Sequence, residues 1–74
     1  MKNLSGICIQ ENDSIRKAIE IINNNDAHIA LVVSSDTLIG TVTDGDIRRG
    51  LISNISLDES VEKVMNKQFL YQKK

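Results

Sequence analysis

The sequence predicts a small α/β domain of the α+β type, in which two helices pack on a mostly antiparallel three-stranded sheet. Two observations favour this class: short β-branched segments are bounded by turn residues, and helical patterns alternate with them. The core has to be aliphatic, because the 74 residues include one Tyr, one Phe and no Trp. We expect a single domain of marginal stability, since so short a chain buries only about 60% of the surface that its unfolded form exposes.

The first part of the chain predicts a strand and then an amphipathic helix. Ile7-Cys8-Ile9 is a short β-prone run. Asp13 is the expected N-cap of the helix, because its carboxylate can accept hydrogen bonds from free backbone amides. The Asn and Asp residues at 23–26 should end the helix. Between these limits an apolar stripe recurs at helical spacing and should face the sheet: Ile15, Ala18, Ile19 and Ile22.

The next part predicts a β-hairpin and a second helix. Residues 28–33 form a nearly continuous aliphatic run, which is typical of a central strand with both faces covered. Ser34-Ser35-Asp36 has turn chemistry, so residues 38–43 should return antiparallel to the first strand of the hairpin. The second helix should begin near Asp44. The predicted order is therefore strand, helix, strand, strand, helix.

Charge and composition argue against several classes of partner. Nine basic and ten acidic residues leave a net charge of −1, so no general attraction to nucleic acid or to an anionic membrane is expected. The longest apolar run is far too short to cross a bilayer. Cys8 is the only cysteine, which excludes an internal disulfide and a cysteine-based zinc cluster. We expect a cytoplasmic protein with no obligatory cofactor.

The candidate ligand site is the segment in which the last strand meets the last helix. Thr43 and Asp46 are three residues apart there, so a hydroxyl and a carboxylate flank the first turn of the helix. Asp46 suits a ribose, because an ionised carboxylate can accept hydrogen bonds from adjacent 2′- and 3′-hydroxyls. Thr43 can donate to a phosphate or to the ribose. Gly45 lets a ligand approach the backbone amides at the helix start, where the helix dipole favours an anion.

Two arginines follow this segment. Arg48 and Arg49 are the expected charge partners of a phosphate, although only the one on the site-facing side of the helix can bind it. A nucleic-acid patch is a weaker interpretation, because the neighbours are acidic and no aromatic residues are interleaved.

Each of the candidate residues also has an alternative interpretation. Thr43 and Asp46 stand at the N-cap and N3 positions, so they can form a capping box that only starts the helix. Asp44 and Asp46 have the spacing of a metal-binding pair, but side chains two residues apart on a helix turn diverge. His28 can be read as a general base, but a polar contact at a strand end suits it better. Gly50 costs about 1 kcal/mol relative to Ala, which indicates either close packing against another helix or an early helix end.

The run Gly40-Thr-Val-Thr-Asp-Gly-Asp-Ile-Arg-Arg49 closely resembles the last strand and last helix of a cystathionine-β-synthase (CBS) domain. It is most similar to the type found with bacterial sugar-phosphate nucleotidyltransferase or sugar-phosphate isomerase domains. The predicted β-α-β-β-α order is also that of a CBS repeat, and the resemblance covers residues 6–52.

The resemblance extends into the end of the chain. Val61-Glu-Lys-Val-Met-Asn66 matches the short helix that precedes a second repeat, and Phe69-Leu-Tyr71 matches the start of its first strand. The proline that the family usually has near Phe69 is absent. The resemblance therefore implies a single CBS repeat at residues 1–55, followed at residues 56–74 by the connector helix and first strand of a truncated second repeat.

The resemblance implies a regulatory module that performs no catalysis. It implies that Thr43 and Asp46 bind the ribose and phosphate of an adenine nucleotide such as AMP, ADP or ATP, while main chain near Gly6-Ile7 and His28-Ile29 holds the base. CBS repeats work in pairs, so a second CBS repeat or a homodimer partner is also implied, together with a sugar-phosphate nucleotidyltransferase as the regulated enzyme. A ligand-free oligomerisation scaffold is the alternative, and a metal-assisted nucleotide-sugar enzyme is a weaker third reading.

Overall fold

Three β-strands form one sheet, and two α-helices pack on one of its faces. The computed structural model describes residues 6–67 of the chain. The predicted order of elements is confirmed, and a short 3₁₀ helix (Val61–Lys63) follows them. The elements are β1 (Cys8–Gln10), α1 (Ile15–Asn23), β2 (Ile29–Ser34), β3 (Thr37–Thr43) and α2 (Asp44–Ile52).

β2 is the central strand, as its apolar sequence predicts. β1 pairs with it in parallel, and β3 pairs with it antiparallel, so the sheet contains one pair of each kind. Ser35 and Asp36 connect β2 to β3 with φ angles of 49° and 69°. Two consecutive positive φ angles are the mark of a type I′ turn, whose twist matches that of the flanking strands. The predicted hairpin is therefore confirmed.

The helices cover only one face of the sheet. Ala30 and Val32 in β2 are fully buried, whereas the residues that alternate with them are only half-buried. The prediction that both faces of this strand are covered is therefore wrong for the described chain, because both helices lie on the same side. The core is aliphatic as predicted, and it consists of Ile9, Ile15, Ala18, Ile22, Ala30, Val32, Val42, Ile47 and Val61.

α1 is capped by Ser14 and not by Asp13. The Ser14 hydroxyl accepts a hydrogen bond from the amide of Lys17 at 3.1 Å. The carboxylate of Asp13 is used one step earlier, where it accepts from the amide of Gln10 at 3.0 Å and closes the turn after β1. The predicted apolar stripe is confirmed, with Ile15, Ala18 and Ile22 fully buried and Ile19 at its half-buried edge.

Asn25 ties the end of α1 to the beginning of β2. Its side-chain amide donates to the carbonyls of Ile21 and Ile29 at 2.6 and 3.0 Å. Its Oδ1 accepts from the amide of His28 at 2.8 Å. His28 has a φ of 57° and directs the chain into the strand. The main chain of His28 and Ile29 is therefore fixed at one end of the sheet.

The segment after α2, residues 53–67, folds back onto the repeat; we call it the connector. Val61 is fully buried in the core, and its amide donates to the carbonyl of Asp13 at 2.8 Å. Further along, Asn66 and Thr41 exchange main-chain hydrogen bonds of 2.7 and 3.0 Å at the edge of β3. Residues 61–66 of the connector, which include its 3₁₀ helix, are therefore anchored at both ends. The predicted strand at Phe69-Leu-Tyr71 lies outside the described residues.

The close partner of Gly50 is the connector. A Cβ placed on Gly50 would overlap the Cγ1 of Val64. α2 continues to Ile52, so the glycine does not mark an early helix end, and its close contact is with the residue that caps the 3₁₀ helix of the connector. Neither α1 nor α2 has the length and apolar character of a membrane span in the part of the chain that the structure describes.

Gly50→Ala should destabilise the domain, although Ala is the better helix former by about 1 kcal/mol. Its Cβ would collide with Val64, and overpacking of this kind costs about 1–3 kcal/mol. We expect the free energy of unfolding to fall by about 1 kcal/mol in urea denaturation, the net of these two effects.

Gly45→Ala is the matched control in the same helix. Its Cβ would lie at ordinary distances of 3.7 Å from Arg49 Nη1 and 3.8 Å from Thr43 Oγ1. Its stability should equal or exceed that of the parent. If both variants gain stability equally, the connector does not pack on α2 as described.

Candidate ligand site at the start of the second helix

The junction of β3 and α2 is built by reciprocal hydrogen bonds between Thr43 and Asp46. Thr43 is the N-cap of α2, and its Oγ1 accepts from the amide of Asp46 at 3.4 Å. The amide of Thr43 donates to Asp46 Oδ2 at 3.0 Å. This pair is a capping box with Asp in place of the usual Glu or Gln. The capping interpretation is confirmed, and it is compatible with ligand binding, because a carboxylate oxygen can accept more than one hydrogen bond.

Asp46 is the only buried charged residue in the described part of the chain, with 7% of its surface exposed. Its Oδ2 accepts from the amide and from the hydroxyl of Thr43, the latter at 3.1 Å. Its Oδ1 pairs with the guanidinium of Arg49. A buried charge is costly unless it is paired and hydrogen-bonded, and both oxygens of this carboxylate are. The carboxylate is therefore held in one orientation, with Arg49 covering Oδ1.

The two predicted phosphate partners lie on different faces of α2. Arg49 contacts Asp46, and 72% of its side chain is exposed. Arg48 instead lines an apolar groove between the two helices. Arg49 is therefore the arginine that lies beside the Thr43–Asp46 pair.

Asp44 and Asp46 also face different surroundings. Asp44 lines the groove between the helices together with Arg48, whereas Asp46 lines concavities on the connector side of α2. Within residues 6–67, no three metal-ligating side chains lie close enough to bind one ion.

The positions implied for the base lie at the same end of the sheet as Thr43. Ile29 is the register partner of Thr43. The carbonyl of Ile7 accepts from the amide of Leu31 at 2.7 Å, which places the start of β1 beside the start of β2. His28 directly precedes β2 and is exposed. Because β1 runs parallel to β2 and β3 runs antiparallel to it, these positions lie at one end of the sheet.

Two adjoining concavities of about 240 and 480 Å³ lie beside Asp46. Asp46, Arg49 and Val64 line both of them. The other lining residues are Gly50, Ser53, Ile55 and Lys63 in the smaller one, and Met65, Asn66 and Lys67 in the larger one. The connector therefore forms one wall of the candidate site, a role that sequence reasoning missed. The sequence signal for it is Lys63 and Lys67, four residues apart around the apolar pair Val64-Met65.

A separate apolar groove of about 400 Å³ lies between the two helices. Its lining residues are Ile19, Asp44, Ile47, Arg48, Leu51 and Ile52. Leu51 and Ile52 are 42% and 74% exposed, so the last turn of α2 presents apolar side chains beside this groove. This groove and the concavities beside Asp46 lie on different faces of α2.

A family model of the CBS domain matches residues 5–53 of the chain. The chain therefore belongs to the CBS domain family, whose members are regulatory modules rather than catalytic domains. The match includes β1 to α2 with the Thr43–Asp46 pair, and it ends at Ser53, the first residue of the connector. No curated protein sequence matches the chain significantly.

Solved structures of CBS proteins have the same fold. A cystathionine β-synthase domain protein fused to a Zn-ribbon-like domain is 28% identical with a TM-score of 0.70, over 82% of this chain and 90% of that one. A protein from Burkholderia ambifaria MC40-6, described as a signal-transduction protein with CBS domains, is 28% identical with a TM-score of 0.74, over 89% and 52%.

A third similar structure supports the fold alone. It is an uncharacterized conserved protein from Pyrococcus horikoshii, 24% identical with a TM-score of 0.71 over 82% of this chain and 48% of that one. The chain thus spans about half the length of the Burkholderia and Pyrococcus proteins.

Thr43→Val should weaken the start of α2, because it removes the hydroxyl that bonds both the amide and the carboxylate of Asp46. Loss of an N-cap side chain costs about 0.5–2 kcal/mol, and we expect the free energy of unfolding to fall by about that amount in urea. Thr43→Ser is the control and should stay within about 0.5 kcal/mol of the parent, since it keeps the hydroxyl. A Val variant as stable as the Ser variant would rule out a stabilising capping box here.

Proposed function

We propose that this CBS repeat binds an adenine nucleotide of the AMP, ADP or ATP type when it is paired, and that occupancy modulates an attached or partner enzyme. The observation that carries the proposal is the Thr43–Asp46 pair, whose hydroxyl and carboxylate lie 3.1 Å apart at the start of α2. The main chain of Ile7 and Ile29 lies at the same edge of the sheet, where it can hold the base. Ile29 is the register partner of Thr43, so the proposed base position lies next to the N-cap of α2, whereas the concavities beside Asp46 are lined by α2 and the connector and not by Ile7, His28 or Ile29.

The ribose would bind through Oδ1 of Asp46. Oδ2 is used by the amide and hydroxyl of Thr43, so Oδ1 is the oxygen that a 2′,3′-diol can reach. Arg49 covers Oδ1 in this structure, but most of its side chain is exposed and can turn aside without disturbing the core. Gly45 has no side chain to screen the first amides of α2 from an anionic group. His28 contributes main chain beside the base.

A second CBS repeat or a second copy of this chain would complete the module. Cys8, Leu31 and Thr41 align across the three strands on the face away from the helices, and all three are half-buried. A sheet face that the helices leave uncovered, with Leu31 at its centre, favours burial against a partner. Residues 1–55 would form the repeat and residues 56–74 would lead toward the next one.

The regulated enzyme would be a sugar-phosphate nucleotidyltransferase in the cytoplasm. This choice of enzyme is supported by the amino-acid sequence from Gly40 to Arg49, which resembles the CBS repeats that accompany such enzyme domains.

The alternative function is a ligand-free scaffold that holds enzyme subunits together. One observation favours it: hydrogen bonds and the Arg49 ion pair satisfy both oxygens of Asp46 without any ligand. The exposed apolar groove at Leu51 and Ile52 would then be part of the assembly surface. The third reading, a metal-assisted enzyme at Asp44 and Asp46, has less support because the two carboxylates face different surroundings.

Asp46→Asn should reduce adenine-nucleotide affinity more than it reduces stability. The amide keeps the shape and can still accept from Thr43, but it loses the charge that strengthens hydrogen bonds from ribose hydroxyls. Hydrogen bonds to charged groups contribute about 1.5–3 kcal/mol, so calorimetric titration with AMP, ADP and ATP should show affinity about 10- to 100-fold lower. The free energy of unfolding should change by less than about 1 kcal/mol.

Asp44→Asn is the matched control, because it removes one carboxylate from the same helix turn on the groove side and should leave nucleotide affinity unchanged. Sedimentation at micromolar concentration should show a dimer, and a well-folded monomer would contradict the proposed pairing.

In the nucleotide titrations, equal affinity of the parent and Asp46→Asn would restrict Asp46 to capping. A dimeric parent that binds none of the three nucleotides would favour the scaffold.

A further inference from the structure

The connector places two lysines beside Asp46. Val61 anchors one end of this stretch in the core, and the paired main chain of Asn66 and Thr41 fixes the other end. Lys63 lies between these two anchors and lines the smaller concavity beside Asp46. Lys67 directly follows the second anchor and lines the larger concavity. The wall that carries the lysines is therefore held against α2 by the fold.

The two concavities together carry an excess of positive charge. One carboxylate, that of Asp46, lines them together with three cations, and Arg49 already neutralises that carboxylate. The Nζ of Lys63 lies 3.6 Å from Oε1 of Glu59, but 56% of the lysine side chain is exposed. A surface ion pair of this kind is weak, so Lys63 can leave Glu59 to bind an anion. Lys67 is exposed and has no ion pair among residues 6–67.

We infer that these concavities form an anion subsite for phosphate groups, in which Lys63 and Lys67 of the connector face Arg49 of α2. The inference deepens the proposed function and rests on it for the identity of the whole ligand, whereas phosphate binding itself follows from the lining residues. Three cations line the two concavities, so more than one phosphate group can be bound there. The subsite is thus assigned to the β-phosphate end of a nucleotide.

Arg49 would couple this subsite to the ribose position. A phosphate group can accept two parallel hydrogen bonds from a guanidinium, so an anion between Lys63 and Lys67 competes with Asp46 for Arg49. When Arg49 turns to the phosphate, Oδ1 of Asp46 becomes free for the ribose hydroxyls. Phosphate binding in the subsite therefore favours ribose binding at Asp46, because both depend on the position of Arg49. The site should bind nucleoside diphosphates more tightly than nucleosides.

The test is calorimetric titration of the full chain with inorganic pyrophosphate, and separately with ADP. The parent should bind both ligands, and Lys67→Gln should weaken each by about 10-fold, as expected for the loss of one charge-assisted contact. Arg48→Gln is the matched control, because it removes the same charge from the groove side of α2 and should change neither affinity. Both substituted side chains are exposed, so both variants should fold like the parent.

The outcomes separate this inference from the proposed function. Pyrophosphate binding that needs Lys67, without ADP binding, would support the subsite and contradict the adenine-nucleotide proposal. ADP binding that is unaffected by Lys67→Gln would keep the proposed function and overturn the subsite. Equal losses in Lys67→Gln and Arg48→Gln would overturn it as well, since general charge attraction would then explain the binding, and so would a parent that does not bind pyrophosphate.

Discussion

The buried carboxylate of Asp46 holds the joint between β3 and α2, and the geometry of the repeat depends on that joint. β3 ends at Thr43 and α2 begins at Asp44, so no loop residue separates the strand from the helix. The reciprocal hydrogen bonds of the capping box fix where the helix starts and in which direction it leaves the sheet. That direction places Ile47 over the core and Gly50 against the connector.

In the proposed function, the same carboxylate would serve folding and ligand recognition with different oxygens. Oδ2 belongs to the fold, because Thr43 bonds it through two donors. Oδ1 is covered only by Arg49, an exposed side chain that can move without opening the core. Ligand binding can therefore use one oxygen while the capping box stays intact. This division explains how a residue with 7% exposure can be both a helix cap and a candidate ligand contact.

Local chemistry predicted most of the repeat, and contacts distant in sequence decided the rest. The capping box follows from residues three apart, so the sequence alone identifies the start of α2. Arg49 lies three residues after Asp46, and this helical spacing places the two side chains beside each other. Sequence reasoning had left the choice between Arg48 and Arg49 open. The shift of the first cap from Asp13 to Ser14 depends on a competing turn with β1. The partner of Gly50 lies in the connector, whose folding back on the repeat no periodicity reveals.

The shared use of Asp46 is tested most directly by nuclear magnetic resonance of the isotopically labelled full chain during titration with AMP. The largest saturable shifts should occur at the amides of Thr43 and Asp46 and at the Nε–H of Arg49, with smaller shifts at Ile29 across the sheet. The amide of Thr43 should remain hydrogen-bonded throughout, since Oδ2 stays with the fold. Shifts confined to the helix groove around Leu51, or the absence of any saturable shift, would contradict the dual role.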